Sequence, residues 1–206
     1  QQIKNKQAMR KLIIKTSDFG ESPRKWECNI GVIAYRHRRY ILGEEKIDDP
    51  IDFLLNLYGI EATNMPYTNE TLKKLMGQAS KYGYVLLPVY LFDHSGITIS
   101  TTPFSCPWDS GQVGFIYTNL KRVQEMGHNW KKWSEKRREQ VREWLKGEIK
   151  IFDQYLRGDV YGFIVEEDGK EIDSCWGFYG EDPRTNGMSD YVDDELIQQY
   201  VNENNL

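Results

Sequence analysis

Cysteine and histidine are scarce in this chain of 206 residues, which contains three of each. Cys28, Cys106 and Cys175 are odd in number and far apart, which argues against a disulfide framework and for a reducing compartment. The spacings CxxC, HxH and HExxH, by which zinc sites are usually recognised, do not occur. We therefore expect a cytoplasmic protein that carries no metal and no other cofactor.

Long apolar runs and phosphate-binding glycine loops are missing as well. No apolar stretch approaches the roughly 20 residues that a membrane-spanning helix needs, and the first ten residues contain no apolar segment of signal-peptide type. The sequence has neither a GxxxxGK[ST] loop nor a GxGxxG loop. These absences argue against a membrane protein and against the two standard nucleotide-binding motifs.

The residues that are present have the composition of a folded protein. Hydrophobic residues make up 39% of the chain and charged residues 28%, which argues against disorder. A length of 206 residues is enough for one substantial core and short for two domains. The sequence therefore predicts a single domain over residues 1–206.

Acidic residues are concentrated towards the C-terminal end. Residues 159–206 contain 13 acidic and 2 basic residues, a net charge of −11, whereas residues 1–158 contain 18 acidic and 25 basic residues, a net charge of +7. The segregation suggests complementary faces within the protein or an acidic surface that meets a basic partner, with a merely solvated acidic region as the alternative. The candidate partner-binding residues are Glu166, Glu167, Asp168, Asp182, Asp193, Asp194 and Glu195.

Apolar periodicity predicts both strands and helices. Strands are predicted at about residues 11–15, 30–35, 84–92, 97–100 and 113–118. Helices are predicted at about residues 50–58, 69–82, 134–156 and 190–201. Residues 160–166 and 171–178 predict a hairpin closed by Asp168-Gly169. This order predicts an α+β fold with a central mixed or mainly antiparallel sheet, a hairpin in the C-terminal half and several flanking helices.

The predicted strand at residues 84–92 is unusual because it contains a proline. Its continuous apolar sequence is typical of a strand that is covered on both faces. Pro88 cannot donate a ladder hydrogen bond, so we expect a bulge or an edge at this position.

The segment from Leu91 to Gly114 concentrates side chains that can do chemistry. Cys106 is a candidate nucleophile, His94 its candidate base, and Asp93 or Asp109 the candidate group that orients the imidazole. We expect strand ends to bring these side chains into one hollow that solvent can reach. No spacing motif of a known cysteine hydrolase is present, so a buried, structural Cys106 is the alternative.

Serine–glycine pairs and a basic stretch suggest a second kind of site. Backbone amides and hydroxyls at Ser95-Gly96 and Ser110-Gly111 could hold an anion, although tight turns would have the same sequence. The basic stretch 36–40 has aromatic neighbours, but a pI of about 5.5 argues against nucleic acid as the partner. The candidate ligand-binding residues are Ser95, Trp108, Ser110, Gln112, Arg38 and Arg39.

Several blocks of the sequence resemble a family of uncharacterised proteins from bacteriophages, plasmids and bacterial genomes. The blocks are residues 26–31, 37–43, 87–117, 153–162 and 175–180. Cys28 departs from the family pattern, which has an acidic residue before Asn29. The resemblance implies a mobile-element setting, and it brings no catalytic role with it.

These observations favour a phage or mobile-element accessory protein that acts by binding, with a host defence component as the expected target. The expected partner is a host protein, with a basic, nucleic-acid-binding surface as one form that the contact could take. One alternative is a small hydrolase or transferase that uses the block from Asp93 to Asp109. Another alternative is a protein that sequesters a small ligand.

Overall fold

The structure is a computed structural model that describes residues 9–18, 20–61 and 65–206. These residues form strands and α-helices in similar amounts, which confirms the predicted α+β class. The strands are β1 (Arg10–Thr16), β2 (Val32–Tyr35), β3 (Glu45–Lys46), β4 (Tyr84–Asp93), β5 (Ile97–Ser100), β6 (Ser110–Asn119), β7 (Val160–Glu167) and β8 (Lys170–Tyr179). The α-helices are α1 (Pro50–Tyr58), α2 (Asn69–Gly77), α3 (Leu120–Glu125), α4 (Glu135–Arg157) and α5 (Asp194–Asn204).

The chain divides into two compact units. Unit 1 combines the described residues up to Pro23 with Gln154–Leu206, and unit 2 runs from Arg24 to Asp153. The single domain expected for residues 1–206 stays a prediction, because compactness does not show whether either unit folds alone. Across the described ranges, each helix is too short or too polar to cross a lipid bilayer.

Unit 1 is built on a three-stranded antiparallel sheet in the order β1-β7-β8. The predicted hairpin is confirmed: Asp168 and Gly169 have φ angles of 49° and 78°, and they join β7 to β8. Such angles match the right-handed twist of the paired strands. One sheet face packs against α5 in a core formed by Leu12, Phe163, Val165, Phe178, Met188, Val192, Ile197 and Val201.

Unit 2 is built on a five-stranded sheet in the order β3-β2-β6-β4-β5. The short pairing of β2 with β3 is parallel, and the other pairings are antiparallel. Pro88 lies opposite Phe115 of β6, and β5 pairs only with residues 90–93 of β4. The β5 side of β4 is therefore open at Pro88, and a bulge follows between Val89 and Tyr90. Both features agree with the expected position for a proline.

Helices α1 and α2 pack on one face of the unit 2 sheet. Asp49 caps α1 because its carboxylate accepts hydrogen bonds from the amides of Ile51 and Asp52, as the Asp-Pro sequence predicts. The helix ends at Gly59, whose φ of 66° suits a left-handed C-cap. The core beneath the two helices contains Ile51, Leu54, Leu55, Tyr58, Leu75, Ala79 and Phe115.

One short strand and one short α-helix were not predicted, and one predicted helix is shorter than expected. The unpredicted elements are β3 and α3, with two and six residues. The helix predicted over residues 69–82 ends at Gly77 and is followed by a 3₁₀ turn, Ala79–Tyr82. Such short elements carry little periodicity, and they depend on contacts with the rest of the fold.

A buried arginine ties the start of unit 2 together. The side chain of Arg24 is 6% exposed, and its guanidinium lies 2.8 Å from Glu44 and 2.7 Å from Glu148. Glu148 also accepts the amides of Ile30 and Gly31, at 2.8 and 3.0 Å. Because both carboxylates are paired and hydrogen-bonded, the buried charges are compensated.

Candidate functional site

The predicted catalytic loop starts at the end of β4. Residues 94–96 form a tight turn into β5, in which the amide of His94 donates to the carbonyl of Gly96 at 3.0 Å. The amide of Asp93 donates to the carbonyl of Asp109 at 2.9 Å. This bond brings the end of the long loop next to its beginning.

Three of the four predicted catalytic side chains lie together at this point. Nδ1 of His94 is 3.2 Å from Oδ2 of Asp109. Sγ of Cys106 donates to the same oxygen at 3.8 Å. The carboxylate therefore lies where it can orient the imidazole, but the thiol contacts the carboxylate instead of the imidazole. A negative neighbour does not stabilise a thiolate, so the arrangement lacks the cationic partner of a reactive cysteine.

The fourth predicted side chain, Asp93, has other partners. It forms an ion pair with Arg39 and accepts from the hydroxyl of Tyr40 at 3.3 Å. Nδ1 of His37 accepts from the amides of Arg39 and Tyr40, at 3.3 and 3.1 Å. Burial and the positive charge of Arg39 lower the pKa of His37, which favours the neutral ring that can accept these bonds. Asp93 thus anchors the turn at residues 36–40.

The loop presents its polar side chains on an exposed surface. The side chains of His94 and Asp109 are 66% and 41% exposed, and Trp108 is 92% exposed. Ser95 is exposed in the turn, and the hydroxyl of Ser110 is used by a hydrogen bond to the Cys106 carbonyl. Five cavities of the described chain have none of the residues from Asp93 to Ser110 in their lining. The expected hollow therefore does not coincide with any of these cavities.

Metal binding has little geometric basis in the described residues. Within residues 9–18, 20–61 and 65–206, no group of three or more His, Cys, Asp or Glu side chains could hold a metal ion. A cavity of about 750 Å³ beside α1 includes Asp49 and Asp52 in its lining. These two carboxylates already accept hydrogen bonds, from backbone amides of α1 and from the hydroxyl of Tyr67.

Three of the predicted ligand-binding residues lie at two adjoining cavities of unit 2. The first, called the basic cavity below, has a volume of about 490 Å³ and is lined by Arg36, Ile47, Pro50, Asn69, Leu72, Lys73, Tyr90, Gln112, Val113 and Gly114. The second, called the basic cleft, has a volume of about 730 Å³ and is lined by Arg36, His37, Arg38, Arg39, Lys46, Ile47 and Asp48. The shared residues Arg36 and Ile47 join the two. Sequence reasoning identified Gln112, Arg38 and Arg39, but it did not find Lys73 or Tyr90, which come from other elements.

Three of the seven predicted partner-binding residues are held in ion pairs within unit 1. Arg10 lies 2.9 Å from Glu167 and 3.5 Å from Asp193. Arg184 pairs with Asp182 at 2.8 Å, and its hydrogen bonds lower the pKa of Asp182. The charges of these carboxylates are therefore partly compensated by arginines of the same unit.

The other four predicted residues form no ion pair with the described part of the chain. Asp168 accepts from the amide of Met9 at 3.1 Å in the hairpin turn. Asp194 and Glu195 are exposed in the first turn of α5, and Glu166 is half-buried at the end of β7. No cation among the described residues therefore compensates their charge in an ion pair.

Strand β8 carries acidic residues that sequence reasoning did not select. Residues 170–174 are all exposed, and they include Glu171 and Asp173. Two large apolar side chains, Ile172 and Trp176, are 49% and 47% exposed. We call Glu171, Ile172, Asp173 and Trp176 the β8 surface. Its residues were predicted as part of a hairpin, but the position of β8 at the edge of the sheet depends on the distant β1.

The chain was compared with protein-family models, with curated proteins and with solved structures, and no match was found. The chemistry of these surfaces is therefore inferred from their own side chains.

Proposed function

We propose that this protein is an accessory protein of a phage or another mobile element, and that it inhibits a host defence component by binding to it. In this proposal unit 1 supplies the binding surface, and the partner presents basic side chains. The mobile-element setting rests on the resemblance of the sequence blocks. The mode of action rests on the charge and exposure of unit 1.

The β8 surface is the observation that carries this proposal. The described residues of unit 1 contain 15 acidic and 6 basic residues, a net charge of −9. On β8, Glu171 and Asp173 flank the exposed Ile172, and Trp176 follows on the same strand. Tryptophan is one of the residue types that dominate binding energy at interfaces, and the acidic side chains of the same strand favour a partner of positive charge.

The same features disfavour pairing between two copies of β8. A two-fold register centred on Ile172 would place Glu171 opposite Asp173, and like charges in direct opposition destabilise a strand pair. Shifts in the β7–β8 register, between Val165 and Glu166 and between Tyr161 and Gly162, also make the edge irregular. Charges and bulges are the devices that keep exposed edges from associating with themselves. A partner of opposite charge meets no such barrier, and attraction would speed its association.

The enzyme alternative has weaker geometric support. Asp109 lies beside both His94 and Cys106, while the thiol has no imidazole contact among the described residues. A carboxylate–imidazole pair on an exposed surface lacks the water-excluding walls in which catalytic groups are normally placed.

The experiment that tests the proposal is a quantitative affinity capture from host lysate. The bait is the full chain, and the variants are the double charge reversal Glu171→Lys, Asp173→Lys and the single change Trp176→Ala. The matched control is Glu61→Lys, Glu70→Lys, because both residues are exposed in unit 2 and the charge change is the same. We expect a basic host protein that elutes with salt, and we expect its recovery to fall about tenfold or more in the β8 variants.

The control should recover the partner as the unaltered chain does. The proposal is wrong if no host protein is enriched, or if the β8 variants and the control recover the same amounts. Circular dichroism of each variant shows whether the fold is retained.

A further inference from the structure

The basic cavity of unit 2 has the size and the walls of a small-molecule site. Its volume of about 490 Å³ lies within the range of about 300–1,000 Å³ that is usual for ligand pockets. Leu72 and Val113 form apolar parts of the wall, and Asn69 and Gln112 supply amide groups. Apolar walls with a few convergent polar groups are the usual construction of such sites.

Two cations of the cavity have no partner in the described part of the chain. Arg36 and Lys73 are exposed, and neither forms an ion pair or a side-chain hydrogen bond there. Arg36 follows β2, and its amide is fixed at 2.7 Å from the Val113 carbonyl. Lys73 is the middle residue of α2. Two elements thus bring two positive groups to one cavity, where a phosphate group could accept from both.

The remaining polar groups suit an aromatic ring with hydrogen-bonding edges. Tyr90 lines the cavity opposite Gln112 in the β4–β6 register, and its side chain forms no hydrogen bond and no aromatic ring pair with other described residues. The side-chain amide of Gln112 donates to the carbonyl of Gly114 at 3.2 Å. This bond fixes the amide group of Gln112. The side-chain oxygen of Gln112 can then accept a hydrogen bond from a ligand.

We propose that the basic cavity binds a nucleotide, with the phosphate held by Arg36 and Lys73 and the base placed against Tyr90. The adjoining basic cleft adds Arg38 and Lys46, which form no ion pair with the described residues. It therefore extends the positive charge beyond the basic cavity, where it would attract further phosphate groups. The inference is independent of the proposed function, because it concerns basic residues of unit 2, whereas the proposed function concerns acidic residues of unit 1.

Isothermal titration calorimetry with the full chain, in phosphate-free buffer at low salt, tests this inference. The probes are adenosine 5′-monophosphate, adenosine and ribose 5-phosphate. Adenosine 5′-monophosphate should bind about tenfold more tightly than adenosine, because hydrogen bonds between charged groups are worth more than one tenfold step in affinity. It should also bind about fivefold more tightly than ribose 5-phosphate, because stacking of a base on an aromatic ring contributes to affinity.

The variants distinguish binding in the basic cavity from a general effect of the protein's net charge. Arg36→Gln and Lys73→Gln should each weaken binding of adenosine 5′-monophosphate about tenfold. Lys74→Gln is the matched control: it removes the same charge from the adjacent position of α2, where the side chain lines a different cavity, and it should leave the affinity unchanged. Tyr90→Leu should weaken binding of adenosine 5′-monophosphate but not of ribose 5-phosphate.

The inference is overturned if adenosine 5′-monophosphate does not bind or binds no better than adenosine. It is equally overturned if Lys74→Gln weakens binding as much as Lys73→Gln does, because the cations would then act only through net charge. Far-ultraviolet circular dichroism of each variant shows that a loss of binding does not come from a loss of fold.

Discussion

A Cβ atom added at position 162 would lie 2.1 Å from Cε3 of the Trp176 ring and 2.8 Å from the Cys175 carbonyl oxygen. The tryptophan therefore lies directly over bare backbone in the β7–β8 pair. Glycine in a strand often marks such a site, where another group approaches the backbone closely. The position of Trp176 on the β8 surface depends on this one missing side chain.

Gly162→Ala should lower the free energy of unfolding by about 1–3 kcal/mol, the usual cost of forcing extra volume into a packed site. It should also displace the Trp176 ring, which fluorescence detects. The control is Gly147→Ala in α4, where a Cβ would meet nothing within 4 Å. That change should raise the free energy of unfolding by about 0.5–1 kcal/mol through helix propensity. Equal effects of the two changes in urea unfolding would contradict this account of Gly162.

At the scale of elements, Arg24 connects segments that the sequence keeps far apart. Its guanidinium joins Glu44, just before β3, to Glu148 of α4, and a third bond reaches the carbonyl of Gly31 at 2.8 Å. Glu148 in turn holds the backbone that leads into β2. The irregular segment 24–31 is thus fixed by charge-assisted hydrogen bonds.

Arg24→Met should lower the free energy of unfolding by about 3 kcal/mol, because it leaves the largely buried carboxylate of Glu148 without its cation. The control is Lys146→Met, which breaks an exposed pair with Glu143 on the same helix and should change stability by less than about 1 kcal/mol. Denaturant unfolding of both variants measures the difference. A change of similar size in both would show that Arg24 is not a structural link.

At the scale of the whole molecule, tyrosine is used as a core residue in both units. Burial raises the pKa of Tyr58 to about 12 in unit 2. Burial also raises the pKa of Tyr117, helped by its hydrogen bond to Glu45. In unit 1 burial raises the pKa of Tyr179 and Tyr200. The folded state therefore holds these phenolic protons more tightly than the unfolded state does.

The sign of this linkage predicts a loss of stability in alkali. The contribution of Tyr58 is fully present below the ordinary tyrosine pKa of about 10 and is lost as the pH rises from there to about 12. We expect the free energy of unfolding to fall across this window, and we expect part of the phenolate absorbance to rise only as the protein unfolds. Tyr58→Phe should make the fall less steep. Ordinary titration of all tyrosines near pH 10 in the folded protein would contradict the prediction.

Part of this structure could be predicted from the sequence, because it depends on residues that are close together in the chain. The Asp49-Pro50 start of α1 and the Asp168-Gly169 turn are where the sequence placed them, because caps and tight turns depend on adjacent residues. The proximity of His94 to Asp109 agrees with the expectation that strand ends bring these residues together, because β4 pairs with β6 and Phe92 lies opposite Ser110. The partner of Asp93 could not be predicted in this way, because Arg39 lies in a segment 54 residues away along the chain.

The sequence by itself determined the elements with strong periodicity, the turns, and the excess of acidic residues near the C-terminal end. Only the tertiary structure decided that β1 pairs with β7, leaving β8 as an exposed edge, and that β2, α2 and β4 bring Arg36, Lys73 and Tyr90 to one cavity. The physical reason is the distance along the chain over which each kind of interaction acts. Backbone preference and capping act over a few residues, whereas pairing and cavity walls come from contacts between segments that are distant along the chain.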